Sequence, residues 1–209
     1  MIGRTDDVFF LPQIGYFVNR ICTPEWIIER QKIDFHDLTF VISGKGEYII
    51  NDVSYPVTQG DMIYVKSGSW REANTSAAQT MVLYAFNMQL FDQYFAPATL
   101  PFEVLTKLEP DPKIDHLLER IRQLYTLREA TSVMQTTAVF MELIAQVLVN
   151  TGMVKGASSD PRVQKAAAYV MENINRHISA TEIGQAVGVH PGYLNKLTTK
   201  HTGKTVSRF

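Results

Sequence analysis

Short apolar runs separated by turn residues fill much of the first half of the chain, between residues 16 and 87. Runs at this close, regular spacing predict the strands of a sandwich or barrel. The connections are too short for a parallel crossover, which needs about a dozen or more residues, so the strands are expected to pair antiparallel. Closing such a sheet into a barrel removes its edges and can enclose a small ligand. The clearest runs are residues 38–42, 47–50, 53–58, 62–65 and 79–86.

After residue 112 the apolar positions change to a helical spacing of about 3.6 residues. A first helix is predicted to begin at the Asp111-Pro112 pair, a good N-cap and first-turn combination. A second helix, residues 132–150, is apolar on more than one side and needs more cover than the first helix provides. That cover is either the sheet of the same chain or a second subunit, and we expect a homodimer formed through residues 111–150. The apolar positions of the first helix include Ile114, Leu118, Ile121 and Tyr125.

Cysteine content and apolar stretches indicate the compartment. The single cysteine, Cys22, excludes an internal disulfide, fits a reducing environment and is expected to be a small buried side chain. The amino terminus is charged and lacks the apolar core of a signal peptide. The most apolar stretch, residues 138–149, is shorter than the roughly 20 residues that span a bilayer. We therefore expect a cytoplasmic protein with no membrane partner.

Charge is distributed unevenly along the chain. Residues 160–209 carry seven basic and three acidic side chains, although the whole chain has a net charge of −1. A basic segment on an acidic body fits a polyanion partner such as DNA, and it also fits an ordinary solvated helix face. Residues 151–159 are rich in glycine, alanine and serine and are predicted to be a linker.

The basic segment carries the signals of helices joined by a tight turn. Asp160-Pro161 opens one helix, and Ser179 with Glu182 forms a capping box at the start of the next. Gly188 is placed to end that helix in the left-handed conformation. His190-Pro191 begins the following helix, whose inner face is expected to hold Tyr193, Leu194 and Leu197.

Three positions of this segment have the spacing that a helix-turn-helix needs. Gly184, Gly188 and Leu194 supply a small residue where two helices cross, a turn, and an apolar wedge between the helices. A generic helical hairpin reproduces part of the same pattern. The spacing therefore favours a DNA-reading unit without proving one.

Residues 160–209 resemble the first half of the DNA-binding module of the AraC/XylS regulators. The resemblance rests on residues 178–183 (ISATEI), 187–189 (VGV), 193–197 (YLNKL) and 202–204 (TGK). The β-rich part resembles the cupin-like effector domain of that family at His36-Asp37, residues 40–46 (FVISGKG) and Gly60-Asp61. The resemblance implies an α+β chain: an antiparallel cupin-like β-barrel with an amino-terminal arm (1–110), a helical dimerisation region (111–150), the linker (151–159) and a helix-turn-helix segment (160–209).

This sequence departs from the family pattern in three ways. Position 184 is usually alanine in the family, and Thr198 stands where a phenylalanine usually packs. Family members also continue into a second helix-turn-helix, which is absent from these 209 residues. We expect either a truncated chain or a regulator with half of its DNA contacts.

The resemblance places the recognition helix at about residues 191–201. Asn195 and Lys196 match the base-facing positions of the family, since an amide suits adenine and an ammonium suits guanine. Thr199, Lys200 and Lys204 are predicted phosphate contacts, and Gly192 lies on the same face. The expected partners are therefore promoter or operator DNA and, in the amino-terminal domain, a small-molecule effector such as a sugar.

The expected effector site lies inside the barrel, lined by aromatic and a few polar groups. If Arg71 points inward, its guanidinium needs a partner, which an anionic or polyhydroxyl ligand would supply. The predicted effector-binding residues are His36, Tyr48, Tyr64, Trp70, Arg71 and Tyr84.

Metal-dependent catalysis is not expected. Many cupins hold a metal with clustered histidines and a carboxylate, but His36 is the only histidine of the β-rich region, and one imidazole is too few. We predict no catalytic residues, no metal and no cofactor. Two other functions stay open: an effector-binding and dimerisation protein without firm DNA binding, and a cupin-type enzyme acting on a sugar.

Overall fold

A computed structural model describes residues 10–127, 129–154, 160–173, 175–202 and 205–206. The chain divides into two compact units between Thr151 and Gly152. The first, here called the sheet unit, contains all the described strands and two helices. The second, the helical unit, contains the three remaining described helices.

The described strands of the sheet unit form two sheets with antiparallel pairing throughout, as expected. Sheet A consists of β1 (Leu11–Ile21), β3 (His36–Ser43), β6 (Asp61–Val65), β8 (Val82–Phe91) and β9 (Leu105–Lys107). Sheet B consists of β2 (Ile27–Lys32), β4 (Lys45–Ile50), β5 (Val53–Thr58) and β7 (Trp70–Thr75). The strand order is β1-β8-β3-β6-β9 in sheet A and β2-β7-β4-β5 in sheet B.

Sheet A is covered on both faces, which explains the unbroken buried runs of β3 and β6. One face packs on sheet B in a single apolar cluster that includes Val41 and Ile63 from sheet A and Tyr48 from sheet B. The other face packs on helices, with the Phe86 ring centre 4.9 Å from that of Phe140. Apolar residues on both sides of a strand are typical of sheets buried on both faces.

Two helices, α1 (Pro112–Leu127) and α2 (Ser132–Asn150), complete the sheet unit; α1 begins where predicted, and α2 has the predicted bounds. By length and composition, α2 is a helix that could cross a membrane, since its most apolar window has a mean hydropathy of 1.5. From the sequence, residues 138–149 were judged too short to span a bilayer. The whole helix is longer than that stretch and has 19 residues. Its apolar side is used inside the sheet unit, where Phe140 and Leu143 are fully buried.

The helical unit contains α3 (Pro161–Glu172), α4 (Ala180–Val187) and α5 (Pro191–Thr202), packed around Ala166, Ile183, Leu194 and Val206. The side chain of Asp160 accepts the N–H of Arg162 and caps α3. At α4, the Ser179 hydroxyl accepts the N–H of Glu182 at 3.1 Å, as the capping box predicts.

The turn after α4 has the predicted glycine chemistry. Gly188 has φ +73°, in the left-handed region that favours glycine. A Cβ added at Gly184 would lie 2.7 Å from the Val189 carbonyl oxygen, so α4 and the turn approach more closely than an alanine permits.

Three sequence predictions differ from the structure. Strands β1, β2, β7 and β9 lie outside the clearest predicted runs, and β7 was missed because its inward positions are Arg71, Ala73 and Thr75 rather than large apolar residues. The last predicted run, 79–86, begins as a turn, and its strand continues to Phe91. In α5, Tyr193 is 46% exposed instead of lying on the inner face. The two sheets pack face to face, an arrangement within the predicted sandwich or barrel. Cys22 is buried, as predicted.

Candidate ligand and nucleic-acid sites

The six predicted effector-binding residues do not surround one pocket. Arg71 and Tyr48 point into the core between the sheets, and His36, Tyr64 and Tyr84 lie on the helix-facing side of sheet A. Trp70 lies at the surface and is 42% exposed, with the Arg30 guanidinium 4.5 Å above its ring. The expectation of a shared interior site is therefore wrong, because successive residues of a strand face opposite sides of the sheet.

Arg71 does point inward, but its partner belongs to the chain. Its guanidinium is ion-paired with the carboxylate of Asp37, which also accepts the Thr39 hydroxyl at 3.0 Å. Burial raises the pKa of Asp37, while the Arg71 charge and the Thr39 hydroxyl act to lower it. Burial likewise raises the pKa of Tyr48, whose hydroxyl bonds to Thr39. Asp37 therefore balances the charge of the guanidinium without a ligand, while Arg71 Nε has no hydrogen-bond partner among the described residues.

His36 uses both ring nitrogens within the sheet unit. The backbone N–H of Ser67 points at Nδ1, so Nδ1 is the acceptor and the Tyr64 hydroxyl donates a hydrogen bond to it at 2.9 Å. The remaining ring N–H donates to the Ala98 carbonyl. Tyr64 accepts in turn from the Leu100 N–H at 2.9 Å, and burial raises its pKa to about 12. These bonds hold the segment after β8 against sheet A and leave neither side chain for a ligand.

Tyr84 is the one predicted effector residue that lines a large cavity. This cavity, of about 610 Å³, lies between the outer face of β3, the segment from Lys107 to Asp111 and the first turns of α1. The Tyr84 hydroxyl donates to Glu119 of α1 at 3.3 Å, and hydrogen bonds, chiefly from Arg122, lower the pKa of Glu119 to about 2.

The cavity has an apolar floor and an acidic rim. Phe40, Ile42, Ile114 and Leu118 form the floor. The rim carries Asp61, Glu109, Asp111 and Asp115, with Lys107 as the one cation among the described lining residues. Burial acts to raise the pKa of Asp111, but hydrogen bonds from Gln146 and from the Lys113 backbone outweigh it and hold that pKa below its usual value.

Sequence reasoning missed this rim because its residues come from distant parts of the chain. Asp61 pairs with Lys107 at 3.1 Å, and Asp111 receives Gln146 of α2 at 2.7 Å. From the sequence, Asp111 was assigned only a capping role. The described residues contain no group of three or more His, Cys, Asp and Glu side chains arranged to hold a metal ion.

In the helical unit, α5 presents one continuous exposed face. Gly192, Lys196, Thr199 and Lys200 lie on it at helical spacing and are all exposed. Tyr193 lies beside them, with the Arg162 guanidinium 5.2 Å from its ring centre. Sequence reasoning missed Tyr193 because an aromatic at that spacing was assigned to the core. Lys204 lies outside the described residues.

Asn195 occupies a different position from the other predicted DNA contacts. It is half-buried, and its side-chain oxygen accepts the N–H of Val206 at 3.0 Å. Val206 is itself 2% exposed in the core of the unit. The amide thus fastens the segment after α5, a contact that competes with paired hydrogen bonds to an adenine.

Comparison with known proteins agrees with the cupin-like expectation for the sheet unit. Residues 34–86 match the family model described as "Cupin domain". The chain is also 22% identical over 196 residues to the HTH-type transcriptional activator RhaS of Escherichia fergusonii, an alignment that covers 89% of this chain and 70% of RhaS.

Two solved structures align with this chain at TM-scores below 0.5. Oxalate decarboxylase of Bacillus subtilis is 22% identical over 38% of this chain, with a TM-score of 0.31, and the aligned part is 22% of the decarboxylase chain. ToxT of Vibrio cholerae aligns over 95% of this chain and 77% of its own, with 13% identity and a TM-score of 0.40.

Proposed function

We propose that this chain is a transcription regulator of the AraC/XylS type, in which the helical unit binds DNA and the sheet unit binds a small-molecule effector. The observation that carries the proposal is the pair α4 and α5 joined at Gly188, with an exposed basic face on the second helix. The likeness to an HTH-type transcriptional activator over 89% of the chain supports the same assignment.

The exposed face of α5 suits the major groove of DNA. Lys196 and Lys200 are one turn apart, and Thr199 lies between them. A lysine can reach the acceptor atoms of guanine, while lysine and threonine both bind phosphate oxygens. We assign Lys196 to base reading and Thr199, Lys200 and Lys204 to the phosphate backbone. Gly192 lets the backbone approach the groove, and Asn195 contributes chiefly by fastening the segment after α5.

The effector is proposed to bind in the 610 Å³ cavity of the sheet unit rather than between the sheets. Its carboxylates at positions 109, 111 and 115 can accept hydroxyl protons, and its apolar floor can cover the C–H face of a ring. A sugar, the class suggested by the family resemblance, has both features. The effector regulates only if it binds two arrangements of the protein with different affinities.

A homodimer is proposed through α2. Met134, Ala138, Ala145 and Val149 are exposed on one side of the helix, and Met134 is 76% exposed. The exposed Glu142, which pairs with Lys113 at 3.5 Å, lies at the edge of the same side. An apolar stripe at this spacing is suited to pack on the same stripe of a second copy. No enzymatic activity is proposed for the chain.

Gel shifts with DNA from upstream of the gene test the DNA-binding proposal. At low salt, the chain should retain this DNA in preference to an unrelated fragment of equal length, and Lys196→Ala should reduce the preference. Retention of both fragments with equal affinity would leave only charge-driven binding and would contradict sequence-specific regulation.

A further inference from the structure

A second, smaller cavity of about 300 Å³ lies in the sheet unit, away from the proposed effector cavity. It is lined by Ile14 of β1, by Tyr125 at the end of α1, by Glu129 and by the first turns of α2. The two cavities share no described lining residue. The smaller one is therefore a separate place at which a molecule could bind.

Two buried hydroxyl groups at this cavity lack partners. Ser132 and Thr136 both line it, and they are 7% and 5% exposed. Among the residues that the structure describes, neither Ser132 Oγ nor Thr136 Oγ1 has a hydrogen-bond partner. The two residues are one helical turn apart and so lie on the same side of α2. Buried polar groups are nearly always hydrogen-bonded, and an unpaired one costs folding free energy.

Other threonines at and after this helix show the usual arrangement. Thr137 Oγ1 donates to the Val133 carbonyl at 2.9 Å, and Thr151 Oγ1, in the residue that follows α2, donates to the Val147 carbonyl at 2.9 Å. The hydroxyl of a helical threonine can thus donate a hydrogen bond to a backbone carbonyl of the preceding turn. Thr136 does not do so although the geometry of the helix is the same. Two neighbouring exceptions at one cavity point to a partner that comes from outside the chain.

We propose that this cavity binds a small neutral molecule that carries several hydroxyl groups. Hydroxyls both donate and accept, so Ser132 and Thr136 can each pair with a ligand hydroxyl. Glu129 offers a carboxylate acceptor, which opposes an anionic ligand. Ile14 and the Tyr125 ring supply apolar surface for the C–H groups of the ligand.

A ligand at this place contacts β1, α1 and α2 at once. The start of α2 has no side-chain hydrogen bond at its N-cap, Thr131. A bound ligand therefore stabilises the first turn of α2, which carries the exposed Val133 and Met134. This site is independent of DNA binding and of the effector cavity, and it can be tested without either.

Saturation-transfer NMR with glycerol, xylitol, myo-inositol and glucose as probes tests the proposal on the full chain. At least one probe should receive saturation from the wild-type protein, and the double variant S132A/T136V should bind that probe about tenfold more weakly or worse. Thr126→Val, which removes a helical threonine already paired with Arg122, should bind it as the wild type does. Gln59→Trp narrows the larger cavity, so a signal that persists in this variant arises from the smaller cavity.

The thermal midpoint of S132A/T136V distinguishes a lost contact from a lost fold. Because the variant removes two unpaired buried hydroxyls, its midpoint should equal or exceed that of the wild type. Three results would overturn the proposal: no probe receives saturation from the wild type, the double variant binds as the wild type does, or the signal disappears in Gln59→Trp alone.

Discussion

At the scale of single residues, the imidazole of His36 serves the fold. It is 5% exposed, and its two nitrogens are bonded to Tyr64 and to the Ala98 carbonyl. Burial is the largest effect on this ring and lowers its pKa below the ordinary value of 6.5. The folded protein therefore keeps His36 neutral at a pH where the unfolded chain is protonated.

This shift predicts a pH dependence of stability. Above about pH 6.5 both states carry a neutral ring and the stability is complete; below it the unfolded chain binds a proton that the folded chain does not, and stability falls. The loss is at most about 1.4 kcal/mol per pH unit. Urea unfolding at about pH 7.5 and 5.5 should show a larger drop for the wild type than for His36→Gln. Equal drops for both proteins would contradict a neutral buried His36.

Asp37 and Arg71 predict a second effect on stability. Arg71→Met leaves the buried carboxylate of Asp37 without its cation, which should lower the free energy of unfolding by about 3–5 kcal/mol. The double variant Asp37→Leu with Arg71→Met should recover most of that loss, because no charge remains buried. Urea unfolding of the two single variants and the double variant completes the cycle. If the loss of unfolding free energy in the double variant equals the sum of the losses in the two single variants, the two side chains are not coupled.

At the scale of elements, the α4 turn depends on the absence of a side chain at one position. In most helices Gly→Ala is stabilising by about 1 kcal/mol. At Gly184 the new Cβ would lie 2.7 Å from a backbone oxygen, so Gly184→Ala should lower the thermal midpoint. Gly192→Ala in α5 is the control, since its nearest contact is 3.4 Å away on the exposed His190 side chain, and its midpoint should not fall. A higher midpoint for Gly184→Ala would contradict the close approach.

Helix α2 makes a prediction about oligomeric state. The wild type should elute as a dimer in size-exclusion chromatography with light scattering, and Met134→Glu with Val149→Glu should convert it to a monomer, because two charges would face a second copy. Gln135→Glu adds a charge beside the stripe and should leave the dimer intact. If the wild type elutes as a monomer, the proposal of a dimer formed through α2 is contradicted.

At the scale of the whole molecule, local patterns predicted the helices far better than the sites. The bounds of α2 and the left-handed Gly188 follow from apolar spacing and from the conformational freedom of glycine. Strand β7 could not be recognised, because one of its inward residues is Arg71, whose ion-pair partner Asp37 lies 34 positions earlier in the chain. A charged residue can be assigned to the inward face of a strand only when its ion-pair partner is known.

The candidate sites show the same limit. The effector cavity joins β3, the segment before α1 and α1 itself, so no short stretch of sequence contains its rim. On α5, by contrast, the family resemblance predicted DNA contacts at Gly192, Lys196, Thr199 and Lys200, and the structure has these four residues exposed on one face. The resemblance also assigned Asn195 to base reading, because its bond to Val206, eleven residues away, cannot be recognised from a motif.

Selection of bound sequences from a random DNA library tests the central proposal most directly. Three proteins are compared: the wild type, Lys196→Glu with Lys200→Glu on α5, and Lys32→Glu with Lys45→Glu on exposed positions of sheet B, a control with the same net charge. The wild type and the control should enrich the same motif, whereas the α5 variant should enrich none. Enrichment of that motif by the α5 variant, or no enrichment by the wild type, would contradict DNA reading by α5.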